Sequence, residues 1–324
     1  MKIGDMPTVS VIMPTYNHAC FIKEAIDSVL KQMYAKLELI IVDNFSDDET
    51  QLIVNGYLAK DNRVKYFRFA NQGVIASSRN YGVSQAIGEY VAFLDSDDRW
   101  RETKLRHQLQ YFEKGIVAVS SQFNPIGEVN RCYNHLNKLL NKRVYRDFSY
   151  QECLLNNPVM TSSLLMKKKD FEHVGGFDQA RKFICIEDWE LWLRACKLLK
   201  GKLRVINTAL IDYRIVVSTS RNHVLIALHW LKVLSKHYTL NYINDQQLNI
   251  ARSQYLLNIG FVALKYEKSV LSCLCFLKAF HQSKVLKVKV ISALGALLAK
   301  SPLFFRRWLI KLFQYIHFRM KIFK

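Results

Sequence analysis

The chain has 324 residues, half of them hydrophobic, and a formal charge of +20. That length holds one large domain or two with a sizeable core, and so apolar a composition excludes intrinsic disorder. Seven scattered cysteines with no Cys-x-x-Cys pair argue against a disulfide framework or a zinc site and for a reducing, cytoplasmic setting.

Lys2 and Asp5 precede a stretch broken by Pro7, Thr8 and Pro14, which does not read as a signal peptide. Nor does any run approach the ~20 apolar residues of a membrane-spanning helix. The charge is unevenly spread. From Val224 to Lys324 sixteen Lys and Arg face only Asp245 and Glu267, a net +14, which leaves +6 for the rest. A tail so basic suits an anionic partner, phospholipid or nucleic acid.

In chain order, Thr8 to Met13 reads as a first strand ended by Pro14-Thr15-Tyr16-Asn17. A helix follows from Ala19 to Gln32, with Phe21, Ala25, Ile26, Val29 and Leu30 at helical spacing and Asn17 or His18 as its cap. Leu37 to Asp43 is a second strand, after which Asn44 to Glu49 opens another helix with acidic residues in its first turn. Val64 to Arg68 is a third strand, and Asn71-Gln72-Gly73 turns into a helix from about Val74 to Ala86 that carries Arg79 and ends at Gly88.

The fourth strand, Glu89-Tyr90-Val91-Ala92-Phe93-Leu94, ends abruptly in Asp95-Ser96-Asp97-Asp98. Its unbroken apolar run fits a central parallel strand covered on both faces. Side chains past the carboxyl end of such a strand face the crevice where open α/β sheets bind ligands. Carboxylates packed this closely raise one another's pKa unless a cation compensates, and hard oxygen ligands suit Mg²⁺ or Mn²⁺, which also grips substrate phosphates. Taken alone, such a cluster is more often a solvated turn that caps the next helix, and its context must decide.

Trp100 to Phe112 then reads as a helix, Ile116 to Ser121 as a strand, and the stretch up to Tyr150 has no clear pattern. Met160 to Met166 reads as a strand and Lys168 to Val174 as a short helix ended by Gly175-Gly176. A helix with a carboxylate-rich first turn begins at Ile186-Glu187-Asp188. Alternating strands and helices imply a twisted, mainly parallel sheet with right-handed crossovers. From about His223 the pattern becomes long helices, so the division falls into residues 1–222 and 223–324. Pro302 to Lys324 places Arg307, Lys311, Gln314, His317, Lys321 and Lys324 opposite Phe304, Phe305, Trp308, Leu309, Leu312, Phe313, Ile316 and Met320. Such a basic, aromatic helix suits an anionic membrane surface, although amphipathic helices also dock on their own protein.

Five blocks in order resemble the family-2 glycosyltransferases of the GT-A fold. They are Val9 to Asn17, Ile40 to Asp48, Asn71-Gln72-Gly73 with Ser78 to Gly82, Gly88 to Asp98, and Gly175-Gly176-Phe177-Asp178 with Glu187-Asp188-Trp189. The resemblance implies a Rossmann-like, mainly parallel α/β catalytic domain followed by a helical C-terminal region. It implies that Pro14, Thr15, Tyr16 and Asp43 frame the nucleotide base, Tyr16 by stacking and Asp43 by accepting an imide N–H, which favours UDP- or dTDP-linked sugars. Arg79 supports the nucleotide, Asp95 orients the loop, Asp97 faces the ribose or metal, Asp98 the metal, and Asp188 is the catalytic base. Displacement of a nucleoside diphosphate needs a cation at the leaving group and a base on the acceptor hydroxyl. One base with no covalent nucleophile implies inversion at the anomeric carbon.

The family often carries a histidine in the segment after Tyr213-Arg214, but here Ile215 to Ser220 supplies none before His223, which leaves a nitrogen metal ligand open. The expected partners are a nucleotide-sugar donor, a glycan or lipid-linked acceptor and the inner face of the cell membrane, with no nucleic acid. Two alternatives use the same residues: a nucleotidyltransferase or other phosphate-handling enzyme, and a non-catalytic module on a degenerate transferase fold. No Gly-x-x-x-x-Gly-Lys or Asp-x-Asp-x-Thr pattern supports the first, and joint retention of Asp43, Asp97, Asp98 and Asp188 opposes the second.

Overall fold

The computed structural model describes residues 9–127, 144–215, 223–265, 268–283 and 286–300. The chain divides into two compact units, Met1–Thr219 and Ser220–Lys324. The expected terminal helix over 302–324 and the segment 216–222 lie outside the described residues.

In the first unit, β1 (Val9–Thr15), β2 (Leu37–Asp43), β3 (Val64–Arg68) and β4 (Tyr90–Phe93) form the parallel part of one sheet, whose order begins β3-β2-β1-β4. Both faces of its centre are covered, which is why its strands lack polar alternation. Val9, Val11 and Met13 pack with Ile22, Ala25, Ile26 and Val29 of α1 (Ala19–Leu30). On the other face α3 (Ile75–Ser84) comes so close that a Cβ on Gly82 would lie 2.5 Å from a methyl of Ile12. α2 (Thr50–Leu58) precedes β3, and Asp47, Asp48 and Glu49 stand before its first turn rather than in it.

β1 runs through Pro14 rather than stopping there. Asn44 N–H donates to the Thr15 carbonyl on the β2 side, so Pro14 turns its nitrogen towards β4, whose pairing has already ended at Ile12 and Phe93. No ladder N–H is needed there.

The second half of the sheet departs from expectation. Arg99–Trp100 is a short strand, β5, paired with β9 (Lys202–Ile215), and the expected helix shrinks to α4 (Lys104–Leu109). Trp100 also donates its indole N–H to the Ser162 carbonyl at 2.7 Å, so tertiary pairing outweighs the helical spacing of Trp100, Leu105 and Leu109. β6 (Ile116–Gly127) extends beyond the predicted strand because it runs parallel to β9, a fourteen-residue strand that the charged side chains of Arg204, Asp212 and Arg214 disguise in the sequence. β7 (Tyr145–Phe148) pairs with β9, and a capped helix α5 (Tyr150–Leu155) follows.

The strand expected over Met160–Met166 is a 3-10 turn at Thr161–Ser163 followed by β8 (Leu165–Lys167), which joins β4 to β6 in antiparallel pairings. The Ser163 hydroxyl donates to the Met160 carbonyl, a local bond that competes with strand pairing. α6 (Lys168–His173) and α7 (Glu187–Leu198) complete the unit.

The second unit contains α8 (His223–Thr239), α9 (Asp245–Lys265), α10 (Ser269–Gln282) and α11 (Leu286–Lys300). Its core centres on Phe276 of α10, against which a Cβ on Gly260 of α9 or Gly295 of α11 would lie 2.8 or 2.7 Å away. Only glycine lets these helices come so close to the ring.

Candidate active site

The chain passes from β1 through β2 to β3 on one side and then returns to β4 on the other, so β1 and β4 flank a topological switch point. Ligands of open α/β sheets bind at the strand ends beside such a point. The register sets Thr15 of β1 opposite Asp43 of β2 and Ile12 opposite Phe93 of β4. The residues after these strands therefore share one rim.

At the first corner, Tyr16 is 52% exposed. Asp43 is buried: Oδ1 accepts from the Ser46 amide (3.0 Å) and hydroxyl (2.6 Å), and Oδ2 from the Tyr66 hydroxyl (2.6 Å). These three bonds leave the carboxylate one further acceptor position, on Oδ2. Ser46 Oγ in turn accepts from the Asn17 amide at 2.9 Å, so Asp43 fixes the two loops that carry Tyr16 and Phe45. Thr15 Oγ1 is buried without a hydrogen-bond partner among the described residues. Phe45 was not singled out in the sequence, yet it is 50% exposed at a φ of +58° and lies under the Arg68 guanidinium at 4.5 Å. A bulky residue held in that region signals a local function.

His18 occupies the cap position of α1 but does not cap it; Asp48 Oδ2 accepts the Ala19 N–H instead. The His18 ring reaches the acidic loop, where Nδ1 and the Ser96 hydroxyl share a hydrogen bond of 2.7 Å.

The three aspartates have distinct surroundings. Asp98 is buried, with Oδ2 accepting from the Ser162 hydroxyl (2.5 Å) and Oδ1 from the Arg214 amide (2.8 Å). Burial, with Asp97 and Asp95 close by, holds its pKa well above the usual carboxylate range. Its two oxygens anchor the acidic loop to β9 and to the Thr161–Ser163 turn, and each keeps a further lone pair beyond these bonds. Asp97 is half-buried, and its pKa is raised first by burial and then by Asp95. Asp95 is half-buried too, with Oδ1 on Arg79 Nη2 at 2.7 Å. Two crowded, half-buried carboxylates are the kind of oxygen ligands that fit a hard divalent cation. Among the described residues no group of three or more His, Cys, Asp or Glu forms a ready-made metal cage.

Arg79 is buried, with Nη1 on Glu187 Oε1 at 2.8 Å and Nη2 on Asp95, so its guanidinium joins two carboxylates. The Phe177 ring lies 5.4 Å from its charge centre. Gly176, just before Phe177, is held by Arg194, whose Nη2 donates to its carbonyl at 2.7 Å while pairing with buried Glu190.

Asp188 lies in the first turn of α7, half-buried. Burial and the adjacent Glu187 push its pKa up to about 6, against the pull of the Trp189 amide, Arg79 and Thr161. The Thr161 hydroxyl donates to Asp188 Oδ2 at 3.2 Å, and the next residue, Ser162, donates to Asp98. One 3-10 turn therefore ties the expected base to the acidic loop, and Arg79 joins that loop to Glu187, the residue before it. The three consecutive hydroxyls of Thr161-Ser162-Ser163 were the signal in the sequence for this element.

The family profile "Glycosyl transferase family 2" matches residues 10–175. An uncharacterized glycosyltransferase of Haemophilus influenzae is 30% identical over 271 residues, 82% of this chain and 100% of the relative. The putative teichuronic acid biosynthesis glycosyltransferase TuaG of Bacillus subtilis is 32% identical over 211 residues, 65% of this chain and 80% of TuaG. Among solved structures, the Pyrobaculum calidifontis mannosyltransferase PcManGT in complex with GDP-Man and Mn²⁺ superposes with a TM-score of 0.60 at 20% identity, covering 97% of this chain and 86% of that one. Residues 1–349 of S. aureus TarS in complex with UDP-GlcNAc give 0.57 at 17%, covering 90% of each chain. These structures share the fold of this chain, a mixed, mostly parallel sheet with helices, and the chain belongs to glycosyl transferase family 2.

Proposed function

We propose that the protein transfers a sugar from a UDP- or dTDP-linked donor to a hydroxyl of a glycan or lipid-linked acceptor, with inversion, in the synthesis of a cell-surface polysaccharide. The observation that carries this reading is the double tie, through Arg79 to Glu187 and through Thr161–Ser162 to Asp188, between the acidic loop and the first turn of α7. TuaG's putative role in teichuronic acid biosynthesis supports the polysaccharide setting, and the UDP-GlcNAc complex of TarS supports a uridine donor.

At the rim, Tyr16 and Phe45 offer exposed rings for the base, on loops that Asp43 and Ser46 hold in place. Asp97, with Asp95 beside it, would hold Mn²⁺ or Mg²⁺; such an ion neutralises charge that builds up on a departing diphosphate. Asp188 takes the proton of the acceptor hydroxyl as that oxygen bonds to the anomeric carbon and the bond from that carbon to the diphosphate breaks. A base with a pKa near 6 is mostly ionised at neutral pH and still basic enough for the task. Direct displacement leaves the anomeric configuration inverted.

Incubating the protein with UDP-, dTDP- and GDP-sugars and a panel of lipid-linked acceptors, followed by mass spectrometry and anomeric NMR of products, tests this reading. A glycosylated product of opposite anomeric configuration supports it; retained configuration, or hydrolysis alone with every donor, contradicts it. We also place the enzyme at the cytoplasmic membrane face through residues 302–324. Truncation before Pro302 should move protein from the membrane to the soluble fraction, and unchanged sedimentation would oppose this role of the segment.

A further inference from the structure

The second unit carries a surface that its own core does not explain. On α10 the side chains of Val270, Leu274 and Leu277 recur at i, i+4 and i+7, opposite the buried Ser272, Cys275, Phe276 and Ala279. On α11 Val290, Leu294 and Leu297 repeat the same spacing opposite Val288, Ile291, Ser292 and Ala296. These six aliphatic side chains are between 42% and 77% exposed. Packing does not require them, since both helices already bury their inner faces around Phe276 through Gly260 and Gly295. Scattered exposed leucines are ordinary, but regular stripes on two mutually packed helices mark an interaction surface.

Charge identifies the partner. Lys268 and Lys278 are exposed beside the α10 stripe, and the Lys289 ammonium stands 5.4 Å from the Phe280 ring. From Val224 to Lys324 only Asp245 and Glu267 are acidic, within a net +14. A second copy would bring the same positive charge to the contact, and residues 302–324 are themselves basic. An anionic bilayer removes the aliphatic side chains from water and also attracts the lysines. No helix among the described residues is long and apolar enough to cross a membrane, so contact is lateral rather than spanning.

We propose that the α10–α11 face, with Val270, Leu274, Leu277, Val290, Leu294 and Leu297 as its inserted side chains, is a docking surface for anionic lipid, separate from residues 302–324. It does not depend on the donor or the reaction.

The test is co-sedimentation of the full chain with vesicles of phosphatidylcholine alone or mixed with phosphatidylglycerol, at low and high salt. Leu274→Asp, Leu297→Asp, the double variant and the truncation before Pro302 are compared. The wild type should bind the anionic vesicles and weaken with salt. Each aspartate should cut the partition coefficient by roughly tenfold, and the truncated chain should retain binding that the double variant loses. Because the changed side chains are exposed, thermal melting and nucleotide binding should match the wild type, which separates failure of this surface from failure of the enzyme assignment. Equal vesicle binding by wild type and double variant overturns the proposal. So does a wild type that ignores anionic vesicles and is a dimer in light scattering that the double variant dissociates.

Discussion

Arg79 and Glu187 stand 108 positions apart in the chain, yet their side chains meet at 2.8 Å, and the same guanidinium holds Asp95 at 2.7 Å. The buried cation thus fixes the spacing between the acidic loop and the helix that carries Asp188. Burial opposes its charge, but Asp95 and Glu187 outweigh that and raise its pKa, so it stays protonated.

Arg79→Met should therefore leave Glu187 buried and uncompensated. Its second oxygen, Oε2, already lacks a hydrogen-bond partner among the described residues. Loss of one member of a buried ion pair costs about 3–5 kcal/mol, to be read in urea unfolding. Arg79→Lys restores charge but not the fork to two carboxylates, and should recover stability more than kcat.

Asp188→Asn should lower kcat by about 10²–10⁴-fold and leave donor affinity unchanged in calorimetry. The acid limb of the wild-type rate profile should fall below pH about 6, because the protonated carboxyl cannot accept the acceptor's proton. Thr161→Val removes a hydrogen bond that favours the ionised form, so that limb should move to higher pH. The sign for stability is opposite to that of an ordinary surface acid. With its folded pKa raised, Asp188 favours the native state at low pH and loses this contribution as pH rises through about 6. Asp188→Asn should thus raise Tm more at pH 8 than at pH 5.

Asp97 and Asp98 should separate cleanly. Asp98→Asn presents an amide to the Arg214 N–H and the Ser162 hydroxyl and cannot serve both as the carboxyl does. An unsatisfied buried donor costs about 1–3 kcal/mol, visible as a lowered Tm. Asp97→Asn should leave Tm within a degree or two but remove the metal dependence of donor binding.

How much of this was legible in the sequence follows from how local each signal is. β2 and β3 appear with their expected bounds, because apolar runs between turn residues are self-contained signals. β9 and the Thr161–Ser163 turn were not legible: Arg204 is held by Asp147 and Asp212 by Arg101, so the polar residues that seemed to interrupt the strand are satisfied by partners elsewhere in the chain. In the site, the motif alone did not tell which side chains have partners inside the protein. Asp43 and Asp98 accept hydrogen bonds from Ser46, Tyr66, Ser162 and the Arg214 amide, contacts that span up to 116 positions. His18 escaped for the same reason, since its partner Ser96 is 78 positions away.

The central claim, that this rim binds a nucleoside diphosphate through a cation held at Asp97, is tested most directly by titrating UDP, dTDP and GDP calorimetrically with and without Mn²⁺ into the wild type, Asp97→Asn and Asp188→Asn. The account predicts Mn²⁺-dependent binding of UDP or dTDP that Asp97→Asn abolishes and Asp188→Asn retains. Equal binding by Asp97→Asn and the wild type, or no binding of any diphosphate in the presence of Mn²⁺, would contradict it.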